Sequence, residues 1–275
     1  MKLLLLTALT MIAFAANSVL NRLGIATGDI TPLGFALVRV CAGAVTLLAL
    51  LTMQGRFQRP KFRIVGALSL VTYMVGFSLA YLTLDAGIGA LILFGGVQIT
   101  MFAGVLLTGG SVPLIRWVGA SIAFAGLVYL LAPSGDTAPD FLGSMLMLAA
   151  AVGWGVYSLV GRVETDALAA TTANFVYALP FLIVAVLIFG SGNVKLGLGL
   201  TYAIVSGAVT SAMGYALWYS ILPRLEASVA AVAQLTVPII ALAGGMLFLG
   251  EELTLRFVIT SVLVLGGVAL SLRKA

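Results

Sequence analysis

The sequence predicts an all-α integral membrane protein whose ten transmembrane helices form two inverted-topology five-helix repeats. Three observations predict it: a composition unable to cover a soluble surface, ten apolar runs with basic residues at alternate ends, and an internal repeat. Of the 275 residues, 62% are hydrophobic and only 8% charged, and the mean hydropathy is +1.20. A soluble domain carries roughly 25% charged residues because its surface must be hydrated. A lipid-facing surface needs none, provided every backbone polar group is paired internally. At about 20 apolar residues per span, ten spans and short loops fill the chain. The expectation is one membrane domain over 1–275, with 1–135 as the first five-helix repeat and 136–275 as the second.

Charges and Gly/Pro/Asp punctuation place the spans at 3–24, 32–53, 63–84, 86–108, 112–132, 141–161, 168–190, 197–221, 225–248 and 255–272. Connections as short as Asp85 and Pro223-Arg224 make successive helices antiparallel neighbours, and the longest loops are 54–62 and 132–140. Met1-Lys2, a leucine-rich run and Ala13-Phe14-Ala15-Ala16 look like a signal peptide. The apolar stretch continues past that site to Leu23, so an uncleaved first helix is expected.

A net charge of +5 raises the question of nucleic acid, but the basic residues flank the apolar runs, as topology determinants do. With the amino terminus inside, the cytoplasmic side collects Lys2, Arg56, Arg59, Lys61, Arg63, Arg116, Arg162, Arg224, Arg273 and Lys274. The other side receives only Arg22, Lys195 and Arg256. This asymmetry predicts a multi-pass protein with both termini cytoplasmic and no nucleic-acid partner. Asp29, Asp85, Asp136, Asp140, Glu251 and Glu252 fall outside, where acidic residues influence topology little.

The repeat is read from Gly, Arg and aromatic positions that share a register. Gly76, Leu79, Tyr81 and Leu84 match Gly214, Leu217, Tyr219 and Leu222 at a separation of 138, with Phe77 opposite Tyr215 and Thr100 opposite Pro238. At a separation of 140, Gly110, Arg116 and Gly126 meet Gly250, Arg256 and Gly266, with Trp117 opposite Phe257. Thr31/Thr171 and Phe35/Phe175 continue the pattern more faintly. Five spans is an odd number, so the second repeat enters the membrane upside down. Inverted repeats characterise secondary transporters, whose substrate site lies near the midplane between them. A small-molecule transporter is the function this implies.

A set of diffuse motifs points the same way. They are Thr31-Pro32 with Phe35 and Arg39 in helix two, Tyr81-Leu82-Thr83-Leu84 ending helix three, and Ala227-Ser228-Val229-Ala230 opening helix nine. Val237-Pro238 lies within that helix and Gly250-Glu251 closes it. Together these resemble the EamA-like branch of the drug/metabolite transporter superfamily, a ten-helix fold of two inverted repeats. The first repeat departs from the pattern, with Thr100 where proline is usual and Ser111 where an acidic residue would face Glu251. The aromatic content of the inner helices is similar to that of bacterial aromatic amino-acid exporters. The resemblance implies a bacterial inner-membrane exporter of small metabolites, hydrophobic or aromatic amino acids first among them.

The candidate substrate-binding residues are polar or aromatic positions on inner helices. Asn17 and Asn21 lie one turn apart on one face of helix one, suited either to a substrate's amino or carboxylate group or to interhelical hydrogen bonding. Gln98 and Gln234 sit at comparable depths in the two halves, which favours a central cavity. Tyr73, Phe77 and Tyr81 recur every four residues in helix three, beside Tyr215, Trp218 and Tyr219 in helix eight and Trp154 and Tyr157 in helix six. Such stripes either pack or line a pocket; Gly76 and Gly214 beside them, read as structural, allow close approach, as Gly95-Gly96 and Gly244-Gly245 do elsewhere. The site expected is Asn17, Tyr73, Phe77, Gln98, Trp154, Tyr157, Tyr215 and Gln234, a cavity of amides and phenols without unpaired charge. Pro238 is read as structural. Arg39, eight residues into helix two, is read as a structural tether that reaches the outer interface or bonds neighbouring carbonyls, with a substrate contact as the alternative.

Absences narrow the mechanism. With no histidine and a single cysteine, Cys41, the usual zinc sites, catalytic triads and intrachain disulfides drop out; no metal or cofactor is expected. No Walker motif offers ATP, and no carboxylate lies at mid-membrane depth to relay protons. Facilitative alternating access is therefore expected, with proton-coupled export as the alternative. An intramembrane hydrolase would need facing carboxylates or metal ligands, and a channel a continuous polar pore.

Overall fold

The computed structural model describes residues 2–56, 63–107, 113–132, 138–161, 164, 166–189, 194–221, 224–225 and 233–271. Arg59, Lys61, Gly110, Ser111, Asp136, Arg162, Leu222, Pro223, Ala227-Ser228-Val229-Ala230, Arg273, Lys274 and the Tyr219 side chain lie outside the described residues.

Among the described residues the chain is all-helical apart from one isolated bridge between Ile30 and Val194. Its helices are α1 (Lys2–Ala26), α2 (Pro32–Met53), α3 (Ile64–Ala80), α4 (Ala86–Leu107), α5 (Leu114–Leu131), α6 (Phe141–Gly161) and α7 (Ala167–Phe189). Then come α8 (198–221), whose middle turns Ser206–Met213 are π-helical, α9 (Val237–Leu249) and α10 (Leu255–Ser271). Seven of these are long and apolar enough to cross a bilayer unaided, whereas α3, α9 and α10 have 17, 13 and 17 residues.

Loop polar residues start the helices. Thr31 accepts from the Gly34 N–H at 3.1 Å, and Pro32 follows in the first turn, where a missing N–H costs nothing. Asp140 accepts from Gly143 at 2.7 Å, Asp166 from Ala169 at 3.1 Å and Thr254 from Phe257 at 3.1 Å. Each satisfies an orphan donor, and the carboxylates complement the positive helix end. At the far end of α9, Gly250 takes φ 70, a left-handed conformation that glycine adopts without a Cβ penalty.

Two expected boundaries need correction. Helix three was expected to reach residue 84 but ends at Ala80, with Tyr81–Leu84 forming a turn. Its apolar run hides the end, and Arg22 secures it by donating through Nη1 to the carbonyls of Tyr81 (2.9 Å) and Leu82 (3.1 Å). Helix nine was expected over 225–248 with Pro238 in its interior. Instead Leu235 and Thr236 form a turn and Pro238 stands in the first turn of α9, where its ring displaces no hydrogen bond.

Contacts between loops sort the connections into two ends. At one end Lys195 N–H bonds Asp29 O (2.8 Å), Thr83 bonds Asp140 (3.0 Å), and Glu251 accepts from Ala86 N–H at 2.5 Å. At the other, Arg56 pairs with Asp166 at 2.7 Å and Arg63 with Glu164. The connections α1–α2, α3–α4, α5–α6, α7–α8 and α9–α10 therefore share one end, and consecutive helices alternate in direction. In the bundle α3 packs on α6, α4 on α6 and α9, α1 on α8 and α9, α2 on α7 and α8, and α5 on α10. Small residues set the closest approaches. A Cβ on Gly76 would collide with the Leu146 carbonyl, and one on Gly207 with the Arg39 carbonyl, while Gly214 leaves room for Ala13.

Candidate substrate site

The stripes read from helical spacing meet at the centre of the bundle. Tyr73 and Phe77 of α3, Trp154 of α6, Tyr215 of α8 and Asn17 of α1 line one cleft, completed by Phe14, Ser18, Leu93 and Phe94. Ring centroids lie 5.2 Å apart for Tyr73–Phe77, 4.9 Å for Tyr73–Trp154, 5.0 Å for Trp154–Tyr215 and 5.7 Å for Phe14–Tyr215. Tyr157 stacks on Trp154 from behind at 5.3 Å and 18°. Each such pair contributes about 0.5–1.5 kcal/mol beyond area burial. The cleft is tightly closed, with a free volume of about 10 Å³, room for no more than one water. Gln98 and Gln234 are half-buried and do not line it.

Beside the rings runs a buried polar network. Asn17 Oδ1 accepts from Ser206 (2.9 Å), Thr210 (2.6 Å) and Ser211 (3.2 Å), and its Nδ2 donates to Thr210 O at 3.4 Å. All three hydroxyls belong to the π-helical turns of α8, where the widened spiral brings them to one oxygen; π segments recur at functional sites. Asn17 thus ties α1 to α8 while facing the cleft. Asn21 donates to Ser78 Oγ at 3.0 Å, tying α1 to α3.

Arg39 does not snorkel to the outer interface or bond carbonyls. It is 0% exposed, its Nε donates to Ser211 Oγ (2.9 Å) and its Nη2 to the Tyr73 hydroxyl (3.0 Å). The guanidinium lies over the Phe77 and Tyr73 rings at 5.0 and 5.4 Å, a cation–π arrangement. The reason is local: α2 presses against α8 at Gly207, directly beside the Arg39 backbone, so hydroxyl and phenol are nearer than the interface. One cation, Arg39, therefore lies behind the Tyr73 and Phe77 rings, next to the cleft but not in its lining.

A second polar cleft of about 480 Å³ opens at the end of the bundle, lined by Arg22, Asp85, Glu251 and Glu252 among others. There Glu251 accepts from the N–H groups of Ala86 (2.5 Å) and Gly87 (3.3 Å) at the start of α4. Burial pushes its carboxyl above the usual value, against those two hydrogen bonds, which lower it.

Residues 141–273, a stretch that takes in α6 to α10, match the EamA-like transporter family. The chain is 44% identical to an uncharacterized protein of Pseudomonas aeruginosa over 98% of its own length and 94% of that protein's. This chain belongs to the EamA-like transporter family. It is also 25% identical, over 67% of its length and 66% of the relative's, to a probable amino-acid metabolite efflux pump of Salmonella typhimurium. A crystal structure 18% identical in sequence superposes with a TM-score of 0.66, covering 95% of this chain and 96% of that one, which establishes the fold. The protein is a multi-pass membrane transporter.

Within this EamA-like chain, sequence reasoning missed the cleft residues Phe14, Ser18, Leu93 and Phe94 and, in the polar network, Ser206, Thr210 and Ser211. The signal for the last three was present: α8 is the least apolar of the seven long helices, and Ser206 and Thr210 fall one turn apart. What no spacing rule offers is the π turn that adds Ser211 to the same face.

Proposed function

We propose that this transporter exports small hydrophobic or aromatic amino acids across a bacterial inner membrane by facilitative alternating access. The observation that carries the reading is the aromatic cleft itself, because its walls come from α1, α3 and α4 in the first half and from α6 and α8 in the second. Rings of this kind suit an apolar side chain, and a cleft shared by two halves opens when one rocks against the other.

Two five-helix repeats, 1–135 and 136–275, in inverted orientation supply those halves. Exchanging each helix for the one five places on turns the α1–α8 contact into α6–α3, α1–α9 into α6–α4 and α2–α8 into α7–α3. The same exchange returns α2–α7, α4–α9 and α5–α10 to themselves, which supports the reading. So does the family match, which takes in α6 to α10 as one unit. The basic residues then put both termini in the cytoplasm.

Substrate binding is assigned to Asn17, Tyr73, Phe77, Trp154, Tyr157 and Tyr215. Gln98, twelve residues into α4, and Gln234, just before α9, stand outside the cleft lining and are not assigned to it. With no carboxylate at mid-membrane depth in the sequence, substrate equilibrates without accumulating. The test is counterflow of labelled phenylalanine in proteoliposomes, with and without a pH gradient. Saturable counterflow indifferent to the gradient is expected. Accumulation that collapses with a protonophore contradicts facilitation, and absence of counterflow across an amino-acid panel contradicts the substrate class.

A further inference from the structure

Arg39 is a cation with no accessible surface, and neither ion pair among the described residues involves it. A guanidinium stays charged at any physiological pH. Burying one in a membrane protein costs at least about 2.5 kcal/mol on insertion scales, and such groups mark substrate pathways by default. Its five donors form a fixed fork. Here Nε and Nη2 are engaged by Ser211 and Tyr73, while Nη1 has no hydrogen-bond partner. Two cation–π contacts spread the charge without neutralising it.

We propose that Arg39 is the anion-binding element of the substrate site, taking the carboxylate of a ligand whose apolar part enters the aromatic cleft. This deepens the proposed function and rests on it. The connection is Tyr73. Its ring is both the surface on which the guanidinium lies and a wall of the cleft, and its hydroxyl occupies Nη2. A carboxylate bonding Nη1 and Nη2 side by side makes the bidentate pair that arginine favours. By taking the Nη2 N–H now given to Tyr73 it displaces that phenol, and with it the ring that packs 4.9 Å from Trp154. Ligand capture and opening of the closed cleft are then one movement. Ser211, held between Arg39 Nε and Asn17 Oδ1, keeps the fork aimed while Tyr73 leaves.

The test uses the purified full-length protein and four ligands sharing one phenyl ring. Phenylalanine and 3-phenylpropanoate carry a carboxylate; phenethylamine and phenylalaninamide do not. Binding is read from tryptophan fluorescence, since Trp154 lines the cleft. The carboxylates are expected to bind at least tenfold more tightly than the other two. Arg39→Gln is expected to abolish that difference, and Arg39→Lys, a charge without the fork, to keep part of it. If Arg39→Gln does not fold, the four ligands on the wild-type protein decide the matter. Phenethylamine and the amide binding as well as phenylalanine would overturn the role of Arg39 and leave the transport reading intact. Binding of none of the four overturns both.

Discussion

Arg256 and Arg39 are both buried arginines near the start of a helix, and they are held in different ways. Arg256 of α10 donates to backbone carbonyls, those of Tyr129 (2.8 Å) and Ala132, and lies 5.6 Å over the Tyr129 ring. Those carbonyls belong to the last turn of α5, whose orphan acceptors and negative helix end call for a cation. Arg39 instead donates to side-chain hydroxyls that themselves belong to the cleft or its network. Carbonyls of a packed helix end cannot move away singly; a phenol on a rotatable side chain can. The contrast separates a fixed joint between α5 and α10 from a replaceable contact beside the substrate site, although both residues are arginine over an aromatic ring.

Substitution at these two positions gives the largest expected effects and breaks the comparison most directly. Arg39→Gln is expected to reduce carboxylate transport more than tenfold. Arg256→Gln is expected to lower thermal stability in detergent by about 1.5–3 kcal/mol, the range for hydrogen bonds to charged groups, with the KM of the folded fraction unchanged. A shifted KM for Arg256→Gln would erase the distinction. The partners of Arg39 sharpen it. Tyr73→Phe keeps the ring and removes the phenol, leaving Nη2 unsatisfied at a cost of about 1–3 kcal/mol in the empty protein. Because a carboxylate replaces that phenol, Tyr73→Phe should lose stability without losing affinity for phenylalanine, whereas Ser211→Ala should lose both. Isothermal titration beside thermal melts separates the two outcomes.

The smallest effect is expected at the outer cleft. Glu251 has a folded-state carboxyl pKa raised by burial, so the folded protein holds its proton more firmly than the unfolded chain. Stability is therefore greatest below the ordinary carboxylate value of 4.5 and declines as pH rises through the raised one. Glu251→Gln should flatten that slope in melts recorded across the window, and an unaltered slope would show that another carboxyl is responsible.

Much of this was legible in the chain because lipid imposes simple rules on it. Apolar runs marked the helices, and positions 73 and 77 marked one face of α3 by spacing alone. Spacing does not say which faces meet, so the convergence of Tyr73, Trp154 and Tyr215 needed the tertiary structure. The end of α3 was hidden because Tyr81-Leu82-Thr83-Leu84 is as apolar as the helix before it, and what closes it is a distant side chain, Arg22. The depth of Arg39 was plain from its place in helix two. Its partners were not, since Ser211 lies 172 residues away on a π turn that no propensity rule announces.

That the aromatic cleft holds the substrate is tested most directly by protection from labelling. In a Cys41→Ser background, Ser18→Cys places a thiol on the cleft wall and Ser261→Cys places one at a buried position of α10, away from it. Labelling with a membrane-permeant maleimide, with and without phenylalanine, gives the rates to compare. The account predicts that substrate slows labelling at position 18 and leaves position 261 unchanged. Equal rates at position 18 with and without substrate, or the same slowing at both positions, would contradict it.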